Sequence, residues 1–158
     1  MARVSTPMSG AELALRLFGA FRSLVDDLHD ELARRGHPAV RPAHGFALQA
    51  IGARGATASE LGARLGVSKQ AAGKTVDGLV SLGYVERTAD PGDARRKVVV
   101  LTPAGREVLA LSAEIFERLR AERERELGAG RMRELEAGLR GLDGAAAPRV
   151  DAAAWLSG

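Results

Sequence analysis

Residues 57–105 read TASELGARLGVSKQAAGKTVDGLVSLGYVERTADPGDARRKVVVLTPAG, and the punctuation of this stretch decides the fold. Thr57-Ala58-Ser59-Glu60 has the form of a capping box, in which the Thr57 hydroxyl takes an early helix N–H and Glu60 reaches back to the cap. The short helix it opens buries Leu61 and Leu65 and is expected to stop at Gly66. Ser68 then caps a longer helix to about Leu82, with Ala72, Val76, Leu79 and Val80 on one side and Gly83 placed to end it. Two valine-rich runs follow, Tyr84–Arg87 and Lys97–Leu101, separated by the turn-forming residues 88–96, which predicts a β-hairpin. Thr102-Pro103 is an N-cap followed by proline at the first helical position, so a further helix begins there.

Short helix, glycine turn, longer helix and hairpin make a winged helix-turn-helix, and the rest of the chain reads as helix around it. Upstream, Leu13, Leu17, Phe21, Leu24, Leu28 and Leu32 recur every three or four residues, one face of a long helix with Asp26, Asp27, Asp30 and Glu31 turned away. Gly36 and Pro38 end that helix, and Pro42 closes the linker. A second helix is expected from His44 to Ala53, burying Phe46 and Ile51. Downstream, Val108, Leu111, Ile115 and Leu119 mark a helix broken at Gly128 and Gly130, and Met132, Leu135, Leu139 and Leu142 stripe a last one. The Ala-rich end, Asp143 to Gly158 with Trp155, reads as a partly ordered tail.

Composition limits the alternatives. The chain has 158 residues, enough for one ordinary domain, and is 46% hydrophobic but only 4% aromatic. Its core is therefore built from Ala, Leu and Val, which favours helix packing over a β-sandwich. No cysteine is present, which excludes disulfides, thiolate metal ligands and thiol redox chemistry. No apolar run approaches the roughly 20 residues of a membrane span, so no membrane partner is expected and the protein reads as soluble and cytoplasmic. The net charge of +3 is unevenly spread: residues 54–106 carry nine basic and five acidic side chains, whereas 1–53 are net +1 and 107–158 net −2. A basic patch confined to the winged segment is the electrostatic footprint of a nucleic-acid reader.

On the longer helix, Ser68, Lys69, Gln70, Gly73 and Lys74 lie opposite the apolar stripe. Lysines can meet phosphate or guanine, glutamine can bond adenine, and a glycine lets the helix approach the major groove closely. Taken alone, these residues would equally suit a solvated helix face. The hairpin shifts the reading, because Arg95, Arg96 and Lys97 stand beside its turn, where an arginine can enter a narrow minor groove. Asp93 is out of place near phosphates unless it orients an arginine, so it is read as wing-orienting, and Arg95 as the foremost contact.

From Thr57 to Gly105 the chain resembles the MarR-type winged-helix regulators. The matching stretches are Ser59 to Ser68, Leu79 to Arg87, and above all Asp93-Ala94-Arg95 followed by Leu101-Thr102-Pro103-Ala104-Gly105. The resemblance implies a mainly α, winged-helix (α+β) fold in which helices from both termini interlock in a homodimer. Such a dimer presents two wings to a pseudo-palindromic site on double-stranded DNA, with half-sites about one helical turn apart. The leucine stripes at the two chain ends support a dimer independently; the rival is a monomer in which they cover each other. The resemblance further implies transcriptional repression relieved by a small anionic or phenolic effector, bound between the dimer helices and the winged unit near Arg16, Phe18, Phe21, His44 and Phe46. Each of those residues would also serve as ordinary core or surface. The expected organisation is 1–53 supporting helices, 54–106 winged unit, 107–143 dimerisation helices and 144–158 tail.

Other functions find little in the sequence. His29, His37 and His44 lie near acidic residues, but no two have the i, i+4 spacing that presents two metal ligands on one helix face. No serine sits in a nucleophile elbow and no glycine-rich phosphate loop exists, so neither an enzyme nor a cofactor is expected. The remaining alternative is a winged-helix dimer that antagonises another regulator through protein contacts. Such a protein would not need Lys69, Lys74, Arg95 and Arg96 together.

Overall fold

The computed structural model describes residues 7–143; the tail with Trp155 lies outside them. Six helices and one hairpin follow in the order α1 (Gly10–Arg34), α2 (Pro42–Ile51), α3 (Ala58–Leu65), α4 (Lys69–Ser81), β1 (Val85–Asp90), β2 (Asp93–Leu101), α5 (Pro103–Leu127) and α6 (Ala129–Asp143). This is the winged-helix arrangement, mainly α with a single antiparallel pair of strands.

The helix starts follow their caps. Ser9, Thr57, Ser68 and Thr102 each accept a backbone N–H three residues on, at 3.1, 3.2, 3.1 and 3.1 Å. Glu60 completes the box at Thr57, accepting the Thr57 N–H at 2.8 Å. Helix α2 departs from expectation at both ends. It starts two residues early because Pro42 serves as its first helical residue, and Gly52 at φ +61° ends it before Ala53. Gly128 alone separates α5 from α6, with Gly130 already inside the last helix.

The strands run further than their valines. Pairing begins at Val85 with Leu101 and continues to Ala89 with Lys97, then skips, so that Asp90 faces Asp93. Ala94, Arg95 and Arg96 are thus surplus residues looped out of β2. A bulge of this kind re-aims side chains that a regular ladder would alternate across the sheet. The turn itself is short, with the Asp90 carboxylate accepting the Gly92 N–H at 2.8 Å. The wing's base is anchored to the segment before α3, where Ala56 and Val99 exchange backbone hydrogen bonds of 3.0 and 2.8 Å. Gly55 makes that approach possible: at φ +77°, a Cβ there would lie 2.7 Å from the Val99 carbonyl oxygen. Gly105 is constrained more tightly still, since a Cβ would fall 1.9 Å from the Tyr84 oxygen as α5 leaves the hairpin.

One core joins all these elements except α6, and it is aliphatic as composition required: Leu28, Leu32, Leu48, Ile51, Leu61, Val76, Leu79, Val99, Val108 and Ile115 are all buried. The terminal helices are another matter. The α1 stripe divides, its C-terminal part (Leu28, Leu32) lying in the core and its N-terminal part (Leu13, Leu17, Phe21) exposed. On α6 only Met132 is buried, while Leu135, Leu139 and Leu142 face solvent at 45%, 39% and 67% exposure. The two stripes therefore do not bury each other within the chain. Val80, expected against the core, is 37% exposed, and Phe46 is only half-buried. Two of the acids expected to turn away from α1 instead face α5. Asp27 pairs with Arg123 at 3.0 Å, and Glu31, bound by Arg34 and Arg35, also lies 3.6 Å from Arg118. No described helix is long and apolar enough to cross a membrane.

Candidate nucleic-acid interface

Helix α4 and the wing form one face. Lys69, the first residue of α4, lines a groove with Arg96 and Lys97 of β2 and with Thr57 and Ser59 at the start of α3. Gln70 and Lys74 are exposed on α4, and Arg95 is exposed in the bulge. Gly73 adds no side chain to the α4 surface, and no atom lies within 4 Å of where its Cβ would stand. Ser68 spends its oxygen on the α4 cap but keeps its hydroxyl proton to donate.

Three acids on this face are paired with arginines within the fold. Asp77 of α4 is bound by Arg87 of β1. Glu60 and Asp90 share Arg96, at 2.7 and 3.7 Å. Hydrogen bonds from the Thr57 N–H and then the Thr57 hydroxyl, followed by the Arg96 charge, hold the Glu60 carboxyl below its ordinary pKa, so it stays ionised as a partner for Arg96. Among the described residues, no acidic side chain pairs with Lys69, Lys74, Arg95 or Lys97. Those four cations are left facing outward.

Two of the expected residues are held by the fold itself. Arg96 is not a free contact like its neighbours, because its guanidinium fastens the wing to the capping box of α3. Asp93 does not pair with an arginine side chain; its carboxylate accepts the backbone N–H of Arg95 at 3.0 Å, which shapes the bulge that carries Arg95. Thr57 and Ser59 were not anticipated on this face. The signal was present, since a capped helix start carries unpaired N–H groups suited to a phosphate.

Between α1, α2 and α5 lies a second feature, a cavity of about 220 Å³. Phe21 and Phe46, both expected near an effector, line it and stack at 6.3 Å. His29, Gln49, Ser112 and Phe116 line it as well. Arg16, Phe18 and His44 do not. Arg16 is exposed and pairs with Glu12 at 3.2 Å, and Phe18 is half-buried on α1. His44 belongs to the α2 cap, its Nδ1 accepting the Arg41 N–H at 3.2 Å, while its Nε2 packs against Gly78 of α4. Burial, and then the nearby Arg41 charge, lower the His44 pKa. Of the other two histidines, His37 bonds the Tyr84 hydroxyl at 2.7 Å, and the cavity-lining His29 bonds the Val25 carbonyl at 2.7 Å.

Comparison with known proteins agrees with this geometry. The model of the MarR family matches residues 40–96, the segment that carries α2, α3, α4, β1 and the first residues of β2. No curated protein is significantly similar in sequence. Among solved structures, the transcriptional regulator Tm0710 from Thermotoga maritima is 26% identical, with a TM-score of 0.63 over 84% of this chain and 94% of that one. Apo MarR from E. coli is 24% identical, with a TM-score of 0.68 over 87% and 98% of the two chains. CouR from Rhodococcus jostii RHA1, solved bound to p-coumaroyl-CoA, is 18% identical, with a TM-score of 0.63 over 86% and 94%. In sequence the chain is similar to the MarR family across residues 40–96, and in fold it is similar to MarR-family regulators over most of its length.

Proposed function

We propose that this protein is a homodimeric, sequence-specific reader of double-stranded DNA that represses transcription until a small molecule releases it. The observation that carries the reading is the sorting of charge on the α4–wing face. Asp77, Glu60 and Asp90 are paired with arginines within the fold, while Lys69, Lys74, Arg95 and Lys97 are exposed with no acidic partner among the described residues. A merely solvated surface has no need of that sorting, whereas a phosphate backbone rewards it. In this reading α4 enters the major groove, Arg95 reaches the minor groove from its bulge, and the N-terminus of α3 meets a phosphate.

The exposed leucines of α1 and α6 support a second copy as the partner of those faces, since patches of this kind mark association surfaces. Two-fold symmetry then calls for a pseudo-palindromic operator with half-sites about one helical turn apart. The cavity between α1, α2 and α5 is the place for an effector, because it touches both the terminal helices and the support of the winged unit. That CouR, of the same fold, was solved with an acyl-CoA bound makes a ligand-responsive role reasonable here. The test is Arg95→Ala on operator DNA: binding should weaken by roughly 1–3 kcal/mol and relax in specificity with the dimer intact. Unchanged affinity and specificity would remove the wing from the mechanism.

A further inference from the structure

Packing supports the wing at its base and not at its tip. Val85, Val99 and Leu101 are buried, but residues 91–97 are all exposed. A two-stranded ribbon without a packed face holds its own direction weakly in water. Arg87, paired with Asp77 of α4, ties β1 near the base, opposite Val99. Further out, the body reaches the wing through a line of charge. Glu60 of α3 accepts Arg96 Nη2 at 2.7 Å, and Arg96 Nε lies 3.7 Å from Asp90, whose other oxygen takes the Gly92 N–H of the turn. Arg95 sits next to Arg96 in the bulge that this line holds. The Glu60 carboxylate divides its oxygens: Oε2 accepts the Thr57 N–H at 2.8 Å and closes the α3 cap, while Oε1 takes Arg96. Both partners of this ion pair are nearly half exposed, so it adds little to global stability and matters instead for where the wing points.

We infer that Glu60 is a specificity-determining positioning residue of the DNA reader: acting through Arg96, it fixes the separation between the base pairs met by the wing and those read by α4. The inference rests on reading the α4–wing face as the DNA interface. Val99 is the nearest buried residue of β2 to Arg95, four positions away. Arg95 therefore stands up to about 13 Å beyond the packed base. A swing of about 15° there carries it by roughly 3 Å, close to the rise of about 3.4 Å between base pairs. A wing tied at Glu60 meets one minor-groove step at a set distance from the major-groove contacts, and an untied wing samples the neighbouring steps as well. Glutamine separates the two tasks of Glu60. It still suits the capping box, but it has a single acceptor oxygen and cannot serve Thr57 and Arg96 at once.

The experiment is selection from a randomised duplex library by the full-length wild type, Glu60→Gln and Arg96→Ala. The wild type should enrich half-sites with two blocks of base preference, one for α4 and one for the wing, at one fixed separation. Both variants should keep the α4 block, lose the fixed separation of the wing block, and bind the wild-type site about fivefold more weakly. Because the two changes break the same tie, the double variant should be no weaker than either alone. A separation unchanged in both variants would overturn the assignment, as would a double variant about 25-fold down, the product of independent losses. Arg96→Ala leaves the α3 cap untouched, so a wing block that stays fixed in that variant overturns it even if Glu60→Gln fails to fold. A wild type that enriches no motif would remove the DNA reading and this inference with it, whereas a wild-type motif that the variants reproduce removes the inference alone.

Discussion

Lys97→Ala removes one cation from each wing of the proposed dimer, and its cost follows from what surrounds the side chain. Lys97 is exposed, shares a groove with Lys69, and has no acidic partner among the described residues. If each copy neutralises one phosphate, a dimer loses two, and the slope of log K against log salt should flatten by about 1.8. Near about 0.15 M salt the same counterion release is worth roughly 30-fold in affinity, or about 2 kcal/mol. Lys69→Ala should behave alike. Arg96→Ala should not: its guanidinium is held 2.7 Å from Glu60, so its loss should loosen the wing and lower affinity with a slope change well below that of Lys97→Ala. The assay is fluorescence anisotropy on one operator duplex across a salt series for all three variants. An unchanged slope for Lys97→Ala and Lys69→Ala, or an equal flattening for Arg96→Ala, would refute the division between outward cations and fastener.

Three further outcomes follow from the packing. Gly105→Ala should cost about 3 kcal/mol or more in urea unfolding, because its Cβ would sit 1.9 Å from a backbone oxygen that no rotamer can move; a loss below about 1 kcal/mol would mean that α5 shifts freely. Leu135→Arg with Leu139→Arg should convert the protein to monomer in sedimentation at micromolar concentration while the far-ultraviolet circular dichroism persists, since both side chains are exposed and outside the core; a persisting dimer would place the interface elsewhere. Hydrogen bonds from Arg34 and then Arg35 hold the Glu31 carboxyl below its ordinary value of 4.5. Its contribution to stability is therefore complete above that value and lost as pH falls through the folded pKa, so Tm should drop on acidification below about 4.5, and Glu31→Gln should flatten that limb.

Much of this was legible locally. The Thr57–Glu60 box, the Ser68 and Thr102 caps and the short apolar helix between them are matters of neighbouring residues, and all stand where the spacing put them. What escaped depends on distant partners. Periodicity showed a continuous apolar face on α1 but not that only its C-terminal half is buried, with α5 packed against the helix. The bulge at Ala94–Arg96 arises from a register shift between strands, and the capture of Arg96 by Glu60 spans 36 positions. The cavity between α1, α2 and α5 was half visible, in Phe21 and Phe46. In the sequence His29 stands among acids as a candidate metal ligand; that it lines the cavity with Ser112 and Phe116 depends on α5 packing against α1.

The measurement that bears most directly on DNA reading is selection of fragmented genomic DNA by the purified wild-type protein at near-physiological salt. Enrichment of an inverted repeat with half-sites about one helical turn apart, lost in Arg95→Ala, is the expected result. Absence of any enriched sequence, from a protein shown to be a folded dimer, would contradict the assignment of the α4–wing face to DNA.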